Sequence, residues 1–192
     1  TANQPLSPIA VILHKSGYHA FNDGSEASLA LETLAEGGDN SALLTAAKSS
    51  SYHLDSTSGT QPLGPGATEQ FQLTTEFGSD ARLSILSMLV NTNDAFTGSN
   101  AADLNALQTG HAHIINLPAG DAGTEANSEA DGTMPGPADS GEGFNASRED
   151  IVNFVGFHRG VVSSDDGLAT SVLNESHRFD NPAARVTITR TQ

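Results

Sequence analysis

The sequence predicts an all-β protein, an antiparallel β-sandwich with two short helices and long loops. Several segments alternate apolar and polar residues with a period of two, the pattern of strands that bury one face. These segments follow one another without regular intervening helices, which favours antiparallel pairing over a parallel α/β sheet. The 192 residues fall in the size range of one domain. We therefore expect residues 1–192 to form a single β-sandwich domain.

The first part of the chain supplies one strand and both helices. Residues 9–13 form a short apolar run between Ser-Pro and Lys-Ser-Gly, which fits a buried strand. Ser25 is the predicted cap of a first helix that carries several leucines and stops at Gly37. A second short helix, capped by Asp39 or Asn40, is expected to follow and to pack with the first against the strands.

The strand-like segments with period two are concentrated in the rest of the chain. They are residues 68–77, 81–90, 111–117, 151–158 and 185–191. Residues 118–148 are rich in glycine and proline and offer almost nothing for a core. A loop of this length is usually functional or disordered. Between residues 121 and 150 the sequence has eight acidic residues and one basic residue, so this segment is also strongly acidic.

The overall charge and composition exclude several classes of function. Lysine and arginine number 8 against 23 aspartate and glutamate residues, a formal net charge of −15. This charge repels phosphate backbones, so we expect no nucleic-acid partner. No segment approaches the roughly 20 apolar residues of a membrane span, so an integral membrane protein is not expected. Cysteine and the Gly-x-Ser-x-Gly motif are both absent. We therefore expect no enzymatic activity.

Acidic residues on two loops suggest a calcium site. Asp121 and Glu125 stand four residues apart in an Asp-Ala-Gly-Thr-Glu turn, and Asp94 follows an apolar strand. Calcium takes about six to eight oxygen ligands, which carboxylates, carbonyls and water supply. An EF-hand over residues 121–132 is excluded, because Ala126 stands where the sharp-turn glycine is required. Spacing alone leaves both a calcium site and a solvated acidic loop open.

Two histidines offer a rival hypothesis from the class of enzymes. His111 and His113 lie on one face of a predicted strand, a spacing found in transition-metal sites. With Glu125 as the general base, they would make a metal-dependent hydrolase. However, the residues after His113 include no acidic third ligand before Leu117. A purely structural envelope domain, with an acidic loop that binds nothing, is the third alternative.

Two motifs resemble the spondin N-terminal domain family, in particular its stand-alone bacterial members. They are Ser-Met-Leu-Val-Asn-Thr-Asn-Asp, ending at Asp94, and Asp-Ala-Gly-Thr-Glu, from Asp121 to Glu125. The resemblance implies an antiparallel β-sandwich similar to calcium-dependent membrane-targeting domains, with one bound calcium. Carried over residue by residue, it implies that Asp94, Asp121 and Glu125 are calcium ligands. Animal members have aspartate at the last position, so Glu125 lengthens one ligand arm and keeps its charge.

Together these observations predict an exported, calcium-binding, non-enzymatic module for adhesion or recognition. Its partner is expected to be a protein, glycan or lipid of unknown identity. We expect it to be secreted or periplasmic in a bacterium, because Thr1 in place of methionine fits a mature end left by signal-peptide removal. Animal members also carry cysteines, which this chain lacks, so their matrix attachment is not carried over.

Overall fold

The computed structural model describes residues 2–76, 80–148 and 152–192. Within these ranges the chain forms two α-helices and eight strands, with short 3-10 helices at Ser164–Asp166 and Glu175–His177. The helices are α1 (Leu29–Gly37) and α2 (Ser41–Ser49). The strands are β1 (Ala10–Lys15), β2 (His53–Ser58), β3 (Ala81–Met88), β4 (Ala95–Asp103), β5 (Ala112–Leu117), β6 (Ala119–Asp121), β7 (Gly156–Phe157) and β8 (Ala184–Thr189).

The strands of the described ranges form two antiparallel sheets of unequal size. The large sheet has six strands in the order β2-β1-β3-β4-β6-β7, and the small sheet pairs β5 with β8. Every pairing between named strands is antiparallel. The predicted class, mostly β with antiparallel sheets and two short helices, is therefore confirmed.

Strand β1 shows how the layers pack, because its side chains alternate between two apolar clusters. Ala10 and Ile12 belong to the cluster that includes leucines of α1 and α2. Val11 and Leu13 belong to the cluster that includes residues of β5 and β8. Successive side chains of a strand point to opposite faces. The large sheet therefore lies between the helices on one face and the small sheet on the other.

The helix predictions hold, with one correction at the first cap. The N-cap of α1 is Ser28 and not Ser25, since the Ser28 hydroxyl accepts a hydrogen bond from Leu31 N at 3.2 Å. Gly38 ends α1 in the left-handed region with φ of 70°, a conformation that glycine adopts without strain. The N-cap of α2 is Asn40, which makes no capping hydrogen bond with its side chain; the Asp39 carboxylate accepts from Ser41 N at 2.8 Å instead.

Several strand predictions were wrong. Strands β2 and β4 were not predicted, because their sequences are polar and lack a period of two. Residues 68–76 lie outside the named strands, although Phe71 and Leu73 pack on an apolar cluster. Of the prediction at 151–158, only β7 is a strand. Phe77 and Ile151, at the ends of these two predictions, lie outside the described residues.

The glycine-rich segment at 118–148 is packed against the rest of the protein, contrary to the prediction that it contributes almost nothing to a core. Ala119 and Met134 are buried at 1 % and 0 % exposure. Met134 packs with Val161 and Leu173 in a small apolar cluster. The segment is therefore held in place by buried side chains, and the acids it carries have defined positions.

Candidate metal centre

The pairing of β4 with β6 places two of the predicted acids at the same edge of the large sheet. Strand β4 begins directly after Asp94, and its first residue, Ala95, opposes Asp121 at the end of β6. One residue further on, Ala122 N donates to Asp94 O at 3.2 Å. The antiparallel ladder thus brings together Asp94 and Asp121, which are far apart in sequence.

The turn from Asp121 to Glu125 wraps around the Asp94 carboxylate. Thr124 N and Glu125 N both donate to Asp94 Oδ2, at 2.7 and 3.2 Å. Gly123 makes the turn possible: its φ is 68°, and a Cβ there would lie 2.3 Å from the carbonyl oxygen of Phe154. No other residue fits such a conformation and approach without strain. These backbone hydrogen bonds therefore fix the position of the Glu125 backbone relative to the Asp94 carboxylate.

The other carboxylate oxygen of Asp94, Oδ1, makes no hydrogen bond within the described residues. Asp94 is 0 % exposed, and its Oδ1 is buried with no hydrogen-bond partner among the residues that the structure describes. Leaving a buried charged acceptor unsatisfied costs free energy, so such an atom calls for an explanation. A cation at this oxygen is one arrangement that would satisfy it.

A fourth carboxylate, which the sequence analysis did not select, faces the same place. Glu36 lies in the last turn of α1 and is 1 % exposed. Its Oε2 accepts from Asn145 N at 2.9 Å. Its Oε1 is also buried and has no hydrogen-bond partner within the described part of the chain. One signal was available in the sequence: Glu32 and Glu36 are acids spaced four apart beside the apolar face of the helix.

Burial and mutual repulsion disturb the ionisation of these carboxyl groups. Burial first, and then the charge of Asp121, raise the pKa of Asp94 to about 7. Burial, followed by the charges of Glu36 and Asp94, raises the pKa of Glu125 to about 8. Burial also raises the pKa of Glu36. At neutral pH the cluster must therefore take up either protons or a cation.

Asp121 is held by a chain of hydrogen bonds from a buried histidine. Gly160 N donates to His158 Nδ1 at 3.0 Å, so the proton of the neutral ring is on Nε2. This nitrogen lies 3.0 Å from Asn127 Oδ1, and Asn127 Nδ2 donates to Asp121 Oδ2 at 2.7 Å. Burial lowers the pKa of His158, which is 1 % exposed. His158, which no sequence motif singles out, therefore helps to position the Asp121 carboxylate.

The carboxylate oxygens of this cluster are the ligand type that calcium prefers, but the side chains do not surround a common point at calcium-binding distances. All four groups offer carboxylate oxygens, which hard cations prefer. Across the described residues, no three or more His, Cys, Asp or Glu side chains are arranged so that they could hold a metal ion. Calcium requires oxygens at about 2.3 to 2.6 Å, so side chains must rotate to meet it. Asp121 and Glu125 are only partly buried.

The histidine pair of the rival hypothesis lies elsewhere. His113 belongs to β5 of the small sheet, where it opposes Ile188, and His111 immediately precedes that strand. Both side chains are exposed. Glu125, the base in that hypothesis, follows β6 of the large sheet. The described structure thus shows no metal-binding cluster that combines these histidines with an acid.

A comparison with protein families now adds to the geometry. The model of the family described as Spondin_N matches residues 2–133. The chain belongs to this family. The Spondin_N match contains Glu36, Asp94, Asp121 and Glu125, and it ends before His158. No curated protein matches the chain.

Membership of the Spondin_N family supports the broad class of function. Domains of this family are generally extracellular and non-enzymatic, as the sequence analysis expected. Among the helices of the described ranges, none has both the length and the apolar character needed to cross a membrane.

Proposed function

We propose that this Spondin_N protein is an exported module that binds one calcium ion through Asp94, Asp121 and Glu125 and serves adhesion or recognition. The observation that carries the proposal is the buried Oδ1 of Asp94, which is unsatisfied within the described structure. This oxygen lies in a group of mutually repelling carboxylates. When all three carboxylates are ionised, one calcium ion reduces their combined formal charge from about −3 to about −1.

Each of the three residues has a distinct part in this proposal. Asp94 is the fixed anchor, because two backbone donors hold its Oδ2 and leave Oδ1 for the metal. Asp121 is oriented by Gly123 N at 2.8 Å and by the Asn127 amide. Glu125 is the longer, partly exposed arm that closes on the ion. When bound, calcium supplies charge neutralisation and a rigid link between the turn and the large sheet.

The same arrangement suggests how the module meets a partner. Asp121 and Glu125 are partly exposed, so a calcium ion between them is accessible to an oxygen of a protein, glycan or lipid. The formal charge of −15 repels anionic partners in the absence of metal. Recognition of an anionic group is therefore expected to require calcium.

Thermal unfolding in calcium and in chelator tests the proposal. Extracellular calcium modules bind with dissociation constants of about 10⁻⁴ to 10⁻³ M. At about 100 times the tighter constant, calcium adds about 2.7 kcal/mol to the folded state. Each kcal/mol moves the midpoint of a chain of this size by about 2 to 4 °C. We therefore expect about 10 mM calcium to raise the midpoint by about 5 to 11 °C.

Asp94→Asn should remove most of this shift, because the amide keeps an acceptor oxygen for the turn but loses the charge that attracts the cation. The matched control is Asp131→Asn, an exposed acid of the same acidic segment. Asp139 is unsuitable as a control, because its two oxygens accept from Gly132 N and Met134 N, both at 3.0 Å. Asp131→Asn should leave the calcium shift intact.

Three results would contradict the proposal. Equal loss of the shift in Asp94→Asn and Asp131→Asn would mean that the acids act only as a diffuse charge. Equal stabilisation by magnesium would mean the same. Zinc-dependent esterase turnover that disappears in His111→Ala would replace the module with the hydrolase.

A further inference from the structure

Helix α1 carries two buried acids one turn apart, and their surroundings differ. Glu32 is 3 % exposed, and its Oε2 receives two hydrogen bonds from the Arg148 guanidinium, at 2.7 and 3.1 Å. Glu36 is 1 % exposed and receives one backbone hydrogen bond, from Asn145 N. Glu32 therefore has a direct ion pair that balances its charge, whereas Glu36 makes no ion pair among the described residues and feels both the charge of Glu32, which raises its pKa, and that of Arg148, which lowers it.

The charge of Glu36 acts directly on the proposed calcium ligands. Of the charged neighbours of Glu125, Glu36 has the largest influence, ahead of Asp94. Glu36 also acts on Asp94. Thr124 stands beside both groups: its hydroxyl is 3.4 Å from Asp94 Oδ2, and it stabilises the charged form of Glu36. The side chain of Glu36 is thus aimed from the helix into the turn at residues 121–125.

We propose that Glu36 is a fourth carboxylate ligand of the calcium site, so that the metal ties helix α1 to the turn at residues 121–125. This inference rests on the proposed function. The observation behind it is the pair of buried oxygens, Asp94 Oδ1 and Glu36 Oε1, both without a hydrogen-bond partner in the described ranges. One calcium ion that contacts both oxygens would satisfy the two of them at once.

A purely structural role does not account for a glutamate at this position. The hydrogen bond from Asn145 N needs a single acceptor oxygen, which a glutamine would supply without a charge. The carboxylate is instead buried next to Asp94 and Glu125, where like charges repel. Arg148 also acts on Glu36, but it is already paired with Glu26 and Glu32, so removing the charge of Glu36 from water is still expensive. A divalent cation between the groups turns this repulsion into attraction.

Calcium titration of Glu36→Gln and Glu32→Gln by calorimetry tests the inference. Glu36→Gln keeps the acceptor for Asn145 N, and we expect its dissociation constant for calcium to rise about 10-fold to 100-fold. Glu32→Gln, the matched control on the same helix, breaks the Arg148 ion pair and should lower the melting midpoint. Its calcium affinity should stay within about twofold of the wild type, because Glu32 is not among the proposed ligands and its charge and that of Arg148 act on Glu36 in opposite directions.

Terbium luminescence separates a ligand from a remote charge. With Tb³⁺ excited directly in place of calcium, lifetimes in H₂O and D₂O report the number of metal-bound waters. Glu36→Gln should add about one water, since calcium-type ions keep their coordination number by taking solvent. Glu36→Asp, which keeps the charge on a shorter arm, should also add water. Circular dichroism should show that each variant retains the wild-type fold.

The possible failures are distinguishable. An unchanged water count in Glu36→Gln overturns the inference even if affinity falls, because Glu36 would then act only through its charge. Wild-type affinity in Glu36→Gln overturns it as well and leaves the three-residue site standing. If the wild type itself binds neither calcium nor Tb³⁺, the proposed function fails first.

Discussion

Strand β4 connects two buried polar clusters that differ in how their hydrogen bonds are completed. The first, which we call the neutral cluster, consists of His14, Ser84 and Asn100. His14 Nδ1 donates to Lys15 O at 2.8 Å, and its Nε2 lies 2.9 Å from Ser84 Oγ. Asn100 Nδ2 donates to Phe21 O at 2.6 Å. Burial lowers the pKa of His14, which keeps the ring uncharged.

The second, which we call the acidic cluster, consists of Glu36, Asp94, Asp121 and Glu125. It lies at the start of β4, six residues before Asn100. Its members are acids that repel one another, and two of its oxygens stay unsatisfied within the described residues. In native proteins buried polar groups are paired almost without exception. The neutral cluster is satisfied by the protein's own groups, whereas the acidic cluster has two oxygens without a partner in the described ranges, which the proposed calcium ion would satisfy.

The largest effect that we expect from this contrast is on the pH dependence of the free energy of unfolding in the absence of metal. A carboxyl group whose pKa is raised in the folded state stabilises the fold at low pH and loses that contribution as pH rises through the folded value. The folded pKa values are about 7 for Asp94, about 8 for Glu125 and about 7 for Glu129. Stability in chelator should therefore fall between about pH 6.5 and 8.5, by about 3 kcal/mol after allowance for the partial exposure of Glu125.

Urea unfolding in chelator at these two pH values measures the effect. The window stays at or above the ordinary pKa of histidine, so the buried His14 and His158, whose pKa values are lowered, contribute little change. Calcium should remove the part of this loss that belongs to Asp94 and Glu125, because the metal holds these two acids in the charged state, and leave the part that belongs to Glu129. Stability that rises with pH in chelator would show that the acidic cluster is not short of counter-charge.

A substitution in the neutral cluster should give the next largest effect. His14→Phe removes the hydrogen bonds to the Lys15 carbonyl and the Ser84 hydroxyl, and we expect it to destabilise the protein by about 2 kcal/mol. The loss should be equal in calcium and in chelator, as measured by urea unfolding. His111→Phe is the control, because His111 is exposed and lies outside the neutral cluster, and it should change stability by less than about 0.5 kcal/mol. If the loss of stability in His14→Phe depended on calcium, the two clusters would not be energetically independent.

The sequence predicted the acids better than the strands that carry them. Asp94, Asp121 and Glu125 were selected from two motifs and a family resemblance, and the structure brings these positions together through β4 and β6. That they bind calcium stays a prediction. Strand β4 itself was missed, because Ala-Phe-Thr-Gly-Ser-Asn-Ala-Ala-Asp has neither the alternation nor the composition of a strand. It is a strand because β3 and β6 pair with it on both sides.

Glu36 and His158, which lie around these acids, could not be selected from the sequence for a different reason. Glu36 makes its backbone hydrogen bond with Asn145, 109 positions away, and His158 reaches Asp121 through Asn127. Local periodicity reports which face of a helix is buried, but not what that face meets. Glycine-rich segments have no periodicity that would reveal such contacts. Only the folded structure shows that the segment at 118–148 closes over the acids.

The smallest and sharpest test concerns Glu129, a buried acid outside the acidic cluster. It is 2 % exposed, and its Oε1 accepts from Val162 N at 3.3 Å. Its Oε2 has no hydrogen-bond partner among the described residues. Burial raises its pKa to about 7, and a backbone hydrogen bond from Val162 opposes this shift. Burial therefore disfavours the charged form of Glu129, as it does for Asp94. Glu129 is not among the charged residues that raise the pKa of Asp94 and Glu125.

Glu129→Gln should therefore separate burial from metal binding. The amide keeps an acceptor for Val162 N and never ionises, so the variant should lose about 1 kcal/mol less stability than the wild type between about pH 6.5 and 8.5 in chelator. Its calcium-induced shift in melting midpoint should equal that of the wild type, because Glu129 is not among the proposed ligands. If the substitution instead weakened the calcium response, Glu129 would belong to the same electrostatic unit as Asp94. The boundary of the acidic cluster would then have to be drawn around the whole segment at 118–148, and the metal site could no longer be assigned to one edge of the sheet.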